Sequence, residues 1–149
     1  MIVLLDAGPL GLASNPRPSP ENRRCNAWLE GLLADGYLVA IPEIADYEVR
    51  REILRIGRMR GVFRLDRLKA TLTYVPISTD VMLQAAQFWA EARRQGQPTA
   101  PDRELDADMI LAAQGVILEN ETDLPVVVAT TNPGHIGRFV DARLWFEIP

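Results

Sequence analysis

The chain is poor in the groups that define several large enzyme classes. Its 149 residues include one cysteine, Cys25, one histidine, His135, and one lysine, Lys69. A single cysteine excludes an intrachain disulfide and a thiolate metal cluster. It also suits a reducing cytoplasm, where this reading places the protein. A single histidine excludes multi-histidine zinc sites and argues against a Ser-His-Asp triad. No apolar run is long enough to span a bilayer. The short apolar start has no basic residues before it, so no secretory leader is expected. Positive charge is scarce as well. With 16 Lys and Arg against 20 Asp and Glu, the net charge of -4 argues against a broad electrostatic surface for nucleic acid. It leaves room for a local site at which metal ions supply the positive charge.

What is present reads as one soluble globular domain over residues 1–149. The opening run Met1-Ile2-Val3-Leu4-Leu5 predicts a buried strand, and Asp6-Ala7-Gly8-Pro9 a sharp turn. The Pro-rich stretch Asn15–Pro20 predicts a loop. Helices are expected over Glu21–Leu33, Ile44–Arg58, Val62–Leu72 and Thr79–Arg94, the last capped by Thr79. Strands are expected over Tyr37–Ile41, stopped by Pro42, over Thr73–Ile77, and over Val126–Ala129 after Pro125. Gln95–Arg103, with Pro98 and Pro101, reads as a loop. Asp106 is placed as the cap of a helix from Ala107 to Leu118. A short helical piece near Ile136–Phe139 and an apolar segment, Leu144-Trp145-Phe146, close the chain. Alternating strands and helices predict an α/β fold: three α/β/α layers around a mostly parallel sheet of four or five strands.

In such a sheet, ligands bind at the carboxyl ends of the strands. Four places converge there. Asp6 ends the first strand. Glu48 lies about a turn into the helix after the second. Asp106 and Asp108 open the apolar helix Leu105-Asp106-Ala107-Asp108-Met109-Ile110-Leu111-Ala112-Ala113-Gln114. Thr130-Thr131-Asn132 follows the Val126 strand. Clustered carboxylates repel one another and form a pocket whose natural occupant is a hard divalent cation. Each residue also has a plainer reading. Asp6 could serve its turn, and Glu48 has neighbours in Glu43, Asp46 and Glu52. Asp106 reads more readily as a cap than as a ligand, Asp108 could be a first-turn acid, and Asn132 could serve an Asn-Pro turn. His135, in a glycine-containing loop, reads as structural or exposed rather than catalytic. Arg50, Arg51, Arg55, Arg58 and Arg60 read as a solvated, salt-bridged face before a phosphate-binding one.

The order and spacing of these motifs resemble the PIN domain family, metal-dependent nucleases that include the VapC-type toxins. The resemblance implies a Mg²⁺- or Mn²⁺-dependent endoribonuclease in which Asp6, Glu48 and Asp108 hold the metal. Asn132 would aid them, and Asp106 would be auxiliary. It further implies an RNA substrate, a homodimer and a small antitoxin partner. Two positions depart from the pattern. Ala7 stands where members often have Thr or Ser, removing a hydroxyl beside the first acid. Pro133-Gly134-His135 stands where some have a further acid. A catalytically weak PIN-like module that binds RNA or protein is the competing reading. An aspartyl-phosphate enzyme fits poorly, because Gly8 replaces the second acid of an Asp-x-Asp motif and Lys69 follows no strand.

Overall fold

A computed structural model describes residues 1–95 and 101–149. Among these residues, five strands form one sheet: β1 (Ile2–Leu5), β2 (Leu38–Pro42), β3 (Thr73–Val75), β4 (Val126–Thr130) and β5 (Asp141–Leu144). Their order is β3-β2-β1-β4-β5, and every pair is parallel. The described residues also form six α-helices: α1 (Ala7–Ser14), α2 (Pro20–Ala34), α3 (Glu43–Arg55), α4 (Met59–Thr71), α5 (Thr79–Arg94) and α6 (Asp102–Thr122). This is the expected three-layer α/β/α architecture. Alternation along β1 divides the core. Val3 and Leu5 pack with Leu10 of α1, Leu29 of α2, Val49 of α3 and Leu65 of α4 on one face. Ile2 and Leu4 pack with Leu111 of α6 and Val128 on the other. The central strands are buried on both faces, so their sequences are apolar runs without alternation.

Several boundaries differ from expectation, each for a physical reason. The turn after Asp6 is a helix, α1. Pro9 lies in its first turn, where a missing N–H costs nothing, and Asp6 caps it by accepting from the Ala7 amide. Ser78, not Thr79, caps α5, its hydroxyl accepting from the Val81 amide. The Pro-rich loop yields Pro20 to the start of α2 behind a Ser19 cap. Met59–Gly61 belongs to α4, and Gly57, in the left-handed region at φ 73°, ends the preceding helix.

The largest difference is at α6. It begins at Asp102, with Pro101 in the cap position, so Asp106 is an interior residue and not a cap. The early start lets Leu105 bury beside Met109 and Ala92. Of the loop expected over Gln95–Arg103, Asp102 and Arg103 are helical, and residues 96–100, including Pro98, lie outside the described residues. The closing apolar segment is preceded by an edge strand, β5, and is itself a 3₁₀ turn, Trp145–Glu147, that buries Trp145. Among the described residues, no helix is long and apolar enough to cross a membrane.

Candidate functional site

The chain leaves β1 toward β2 and leaves β4 toward β5, in opposite directions across the sheet. The crevice between the carboxyl ends of β1 and β4 is therefore a topological switch point. Asp6 sits in that crevice. Its amide donates to the Ala129 carbonyl at 2.9 Å, which ties the two strand ends together. One of its carboxylate oxygens accepts from the Ala7 amide at 2.7 Å, and the other accepts from the Thr130 hydroxyl at 2.6 Å. The Thr130 oxygen in turn accepts from the Asn132 amide at 3.1 Å. Asp6 thus takes its hydroxyl partner from β4, across the sheet. Gly8 permits this closeness, since a Cβ there would stand 2.6 Å from a Thr131 methyl.

A pocket of about 200 Å³ opens at this crevice. Asp6, Glu48 and Asp108 line it, as expected. So does Glu104, a residue the sequence reading missed. It lies four residues before Asp108 and shares its helix face. Thr130, Thr131, Asn132 and His135 complete the wall on the β4 side. Asp106 is not among these residues. It is exposed and lines two clefts on other faces of α6. Asn132 reaches the pocket, but its side-chain oxygen accepts from the Gly134 amide at 3.1 Å and so braces its own turn.

The rivals of Glu48 are occupied elsewhere. Glu43 accepts from the Ile77 amide at 2.9 Å and from the Tyr74 hydroxyl at 3.1 Å. Asp46 is buried and paired with Arg50 at 3.0 Å. Glu52 is exposed beside Arg55. The buried amide of Gln114 sets the start of α3. It donates to the Val75 carbonyl at 2.7 Å and accepts from the Ile44 amide at 3.3 Å. Glu48, one turn farther along, inherits its place from that contact.

The electrostatics are those of crowded acids. Burial raises the Asp6 carboxyl, outweighing the Thr130 and Ala7 hydrogen bonds that lower it. Burial and then the Asp6 charge raise Glu48, against a smaller pull from Arg51, whose guanidinium is 4.0 Å away. Asp108 is pushed from 3.8 to about 7 by burial, then by the charges of Asp6, Glu48 and Glu104. Among the described residues, no three His, Cys, Asp or Glu side chains are gathered so as to hold a metal ion as they stand. The donor set nevertheless fits a hard cation. Its carboxylate, hydroxyl and amide oxygens suit an ion that keeps several waters and takes only one or two carboxylates directly. A larger, apolar cleft of about 440 Å³ adjoins the acids through Ala7 and Glu48, between α1, α3 and α4. It has volume, whereas the smaller pocket holds the converging acids.

The sequence matches no family model, and no curated protein matches it. The fold has close counterparts among solved structures. A chain of the VapBC2 complex of Rickettsia felis, bound to a DNA fragment from its promoter, superposes with a TM-score of 0.71 at 20% identity, covering 97% of this chain and 99% of that one. A chain of the DNA-bound VapBC of Salmonella typhimurium gives 0.69 at 18% identity, over 97% and 98%. The VapC20 toxin of Mycobacterium tuberculosis, which cleaves the sarcin-ricin loop, gives 0.61 at 14% identity, over 95% and 99%. At these identities the likeness is one of fold: the chain has the PIN-like fold of VapC toxins.

Proposed function

We propose that the protein is a divalent-metal-dependent endoribonuclease of the VapC type. The observation that carries this reading is the convergence of Asp6, Glu48 and Asp108 in one pocket at the switch point of a PIN-like sheet. Asp6, Glu48 and Asp108 would hold Mg²⁺ or Mn²⁺, which supplies Lewis-acid polarisation of a phosphodiester and offsets its charge. Thr130 and the Ala7 amide fix the orientation of the Asp6 carboxylate. Glu104 adds negative charge at the rim, and Asn132, on the β4 side of the wall, would aid the acids. Asp106 faces away and has no part in this reading.

Exposed Leu54, Ile56, Met59 and Phe63, around the end of α3 and the start of α4, support a protein partner beside the apolar cleft. A small antitoxin fits that role, with a homodimer and a cytoplasmic setting as part of the same reading. The competing reading is a PIN-like module that binds RNA or protein without cutting. The loose spacing of the acids and the engaged Asn132 side chain favour it.

Incubation of a mixed RNA pool with purified protein in Mg²⁺, Mn²⁺ or EDTA separates the two. Metal-dependent cleavage is expected, falling on the order of 100-fold or more in Asp6→Ala and Asp108→Ala. Cleavage equal in all three chains would refute the assignment of the acids. Folded protein that binds RNA and never cuts it would favour the binding module.

A further inference from the structure

We infer that His135 contacts the phosphate of bound RNA in this pocket, donating an N–H to it from the β4 side. The inference rests on the ribonuclease reading above. A phosphodiester entering the pocket meets four carboxylates, and their charge opposes its own. The remaining neutral wall, Thr130, Thr131 and Asn132, is partly spent. The Thr130 hydroxyl donates to Asp6, and the Asn132 side-chain oxygen accepts from Gly134. His135 is the one lining residue with a basic side chain. Among the described residues, none hydrogen-bonds to its ring. Arg51, the nearby cation, is 4.0 Å from Glu48 and lines the two neighbouring clefts, not this pocket.

The backbone under His135 is braced, unlike that of a free loop. The Asn132 side chain closes a turn onto the Gly134 amide, and the Gly137 amide donates to the Pro133 carbonyl at 2.7 Å. The His135 carbonyl accepts from the Arg138 amide at 3.3 Å, opening a 3₁₀ turn. The next residue, Ile136, is buried against Leu4, Leu111 and Val128. A donor fixed by its backbone on both sides loses little freedom when it meets a ligand. The tripeptide that removes an acid from the expected pattern, Pro133-Gly134-His135, thus puts a histidine on the wall of the same pocket.

The chain has a single histidine, so its ring resonances are unambiguous. The test follows the ring ¹⁵N shifts while Asp108→Asn protein in Mg²⁺ is titrated with a ten-nucleotide mixed-sequence RNA. In parallel, kcat and KM are measured for His135→Ala, His135→Gln and His135→Lys in the otherwise unchanged chain. RNA is expected to move the ring resonances. His135→Ala is expected to lose roughly 10- to 100-fold in kcat/KM, with Gln and Lys, which keep a donor, retaining more than Ala. Unmoved ring resonances at saturating RNA would overturn the inference, whether or not His135→Ala loses activity. If activity is lost without ring shifts, the loss belongs to the turn. Cleavage that needs Asp108 but ignores His135 overturns the inference and leaves the nuclease reading standing. RNA that neither binds nor is cut by any chain sinks both.

Discussion

At the scale of single residues, the site depends on how one carboxylate is held. Asp6 is at once a strand end, a helix cap and a pocket acid, and its two oxygens have separate partners. Thr130 is the partner whose donor is a side chain. Thr130→Val keeps the shape and deletes the hydroxyl, leaving one Asp6 oxygen and the Asn132 backbone amide without their partner. Metal affinity read by Mn²⁺ titration is expected to fall roughly 10-fold, in the range for a group that orients a ligand. Excess metal should restore activity. Unchanged affinity would mean that the Thr130 hydroxyl does not orient the acid. No sequence motif marks this pair, whose members are 124 positions apart. The sequence does place an Asp at a strand end and a Thr-Thr-Asn after another. It does not reveal that the second segment donates a hydrogen bond to the acid of the first.

At the scale of elements, legibility followed periodicity. The apolar runs of β1 and β4, and the amphipathic helices around Trp28, Tyr47 and Trp89, were readable because burial leaves a pattern in the chain. Three elements were hidden by residues that usually break structure or face water. Gly8 and Pro9 masked α1, although proline is acceptable in a first turn. Charged Asp141 and Arg143 masked β5, an edge strand that pairs these side chains along its own length. The acids before Leu105 masked the first turn of α6, and with it the place of Glu104. Asp108 lines the pocket wherever the helix is taken to begin, because the apolar run behind it packs against the sheet.

Gln114 shows how elements are tied to the pocket. It is wholly buried and joins the end of β3 to the start of α3. Gln114→Leu would leave the Val75 carbonyl and the Ile44 amide without partners. It is expected to cost about 2–4 kcal/mol in urea denaturation. Stability within a few tenths of wild type would show that these groups find other partners.

At the scale of the whole molecule, the crowded acids set the pH response. Asp108 titrates at about 7 in the folded chain and near 3.8 when exposed. Between these values the folded state holds a proton that the unfolded state has released. Stability therefore falls as pH rises from about 4 to about 7, and levels off above. Asp6 and Glu48 are raised too and act in the same sense. Urea midpoints across this range should decline in the wild type and decline less steeply in Asp108→Asn. A profile unchanged by that substitution would mean that Asp108 is not the group responsible. An ion bound among the carboxylates should stabilise most at the alkaline end, where all of them are charged.

The placement of β1 has a consequence for the order of folding. β1 is the middle strand of the sheet, and one of its two neighbours, β4, begins at Val126, far along the chain. Asp6 and Thr130 meet only when these two strands pair, across a separation of 124 positions. Such long-range pairing is slow to form, because a large loop must close first. Any activity housed in the crevice therefore waits on the pairing of β1 with β4, and neither strand carries it alone.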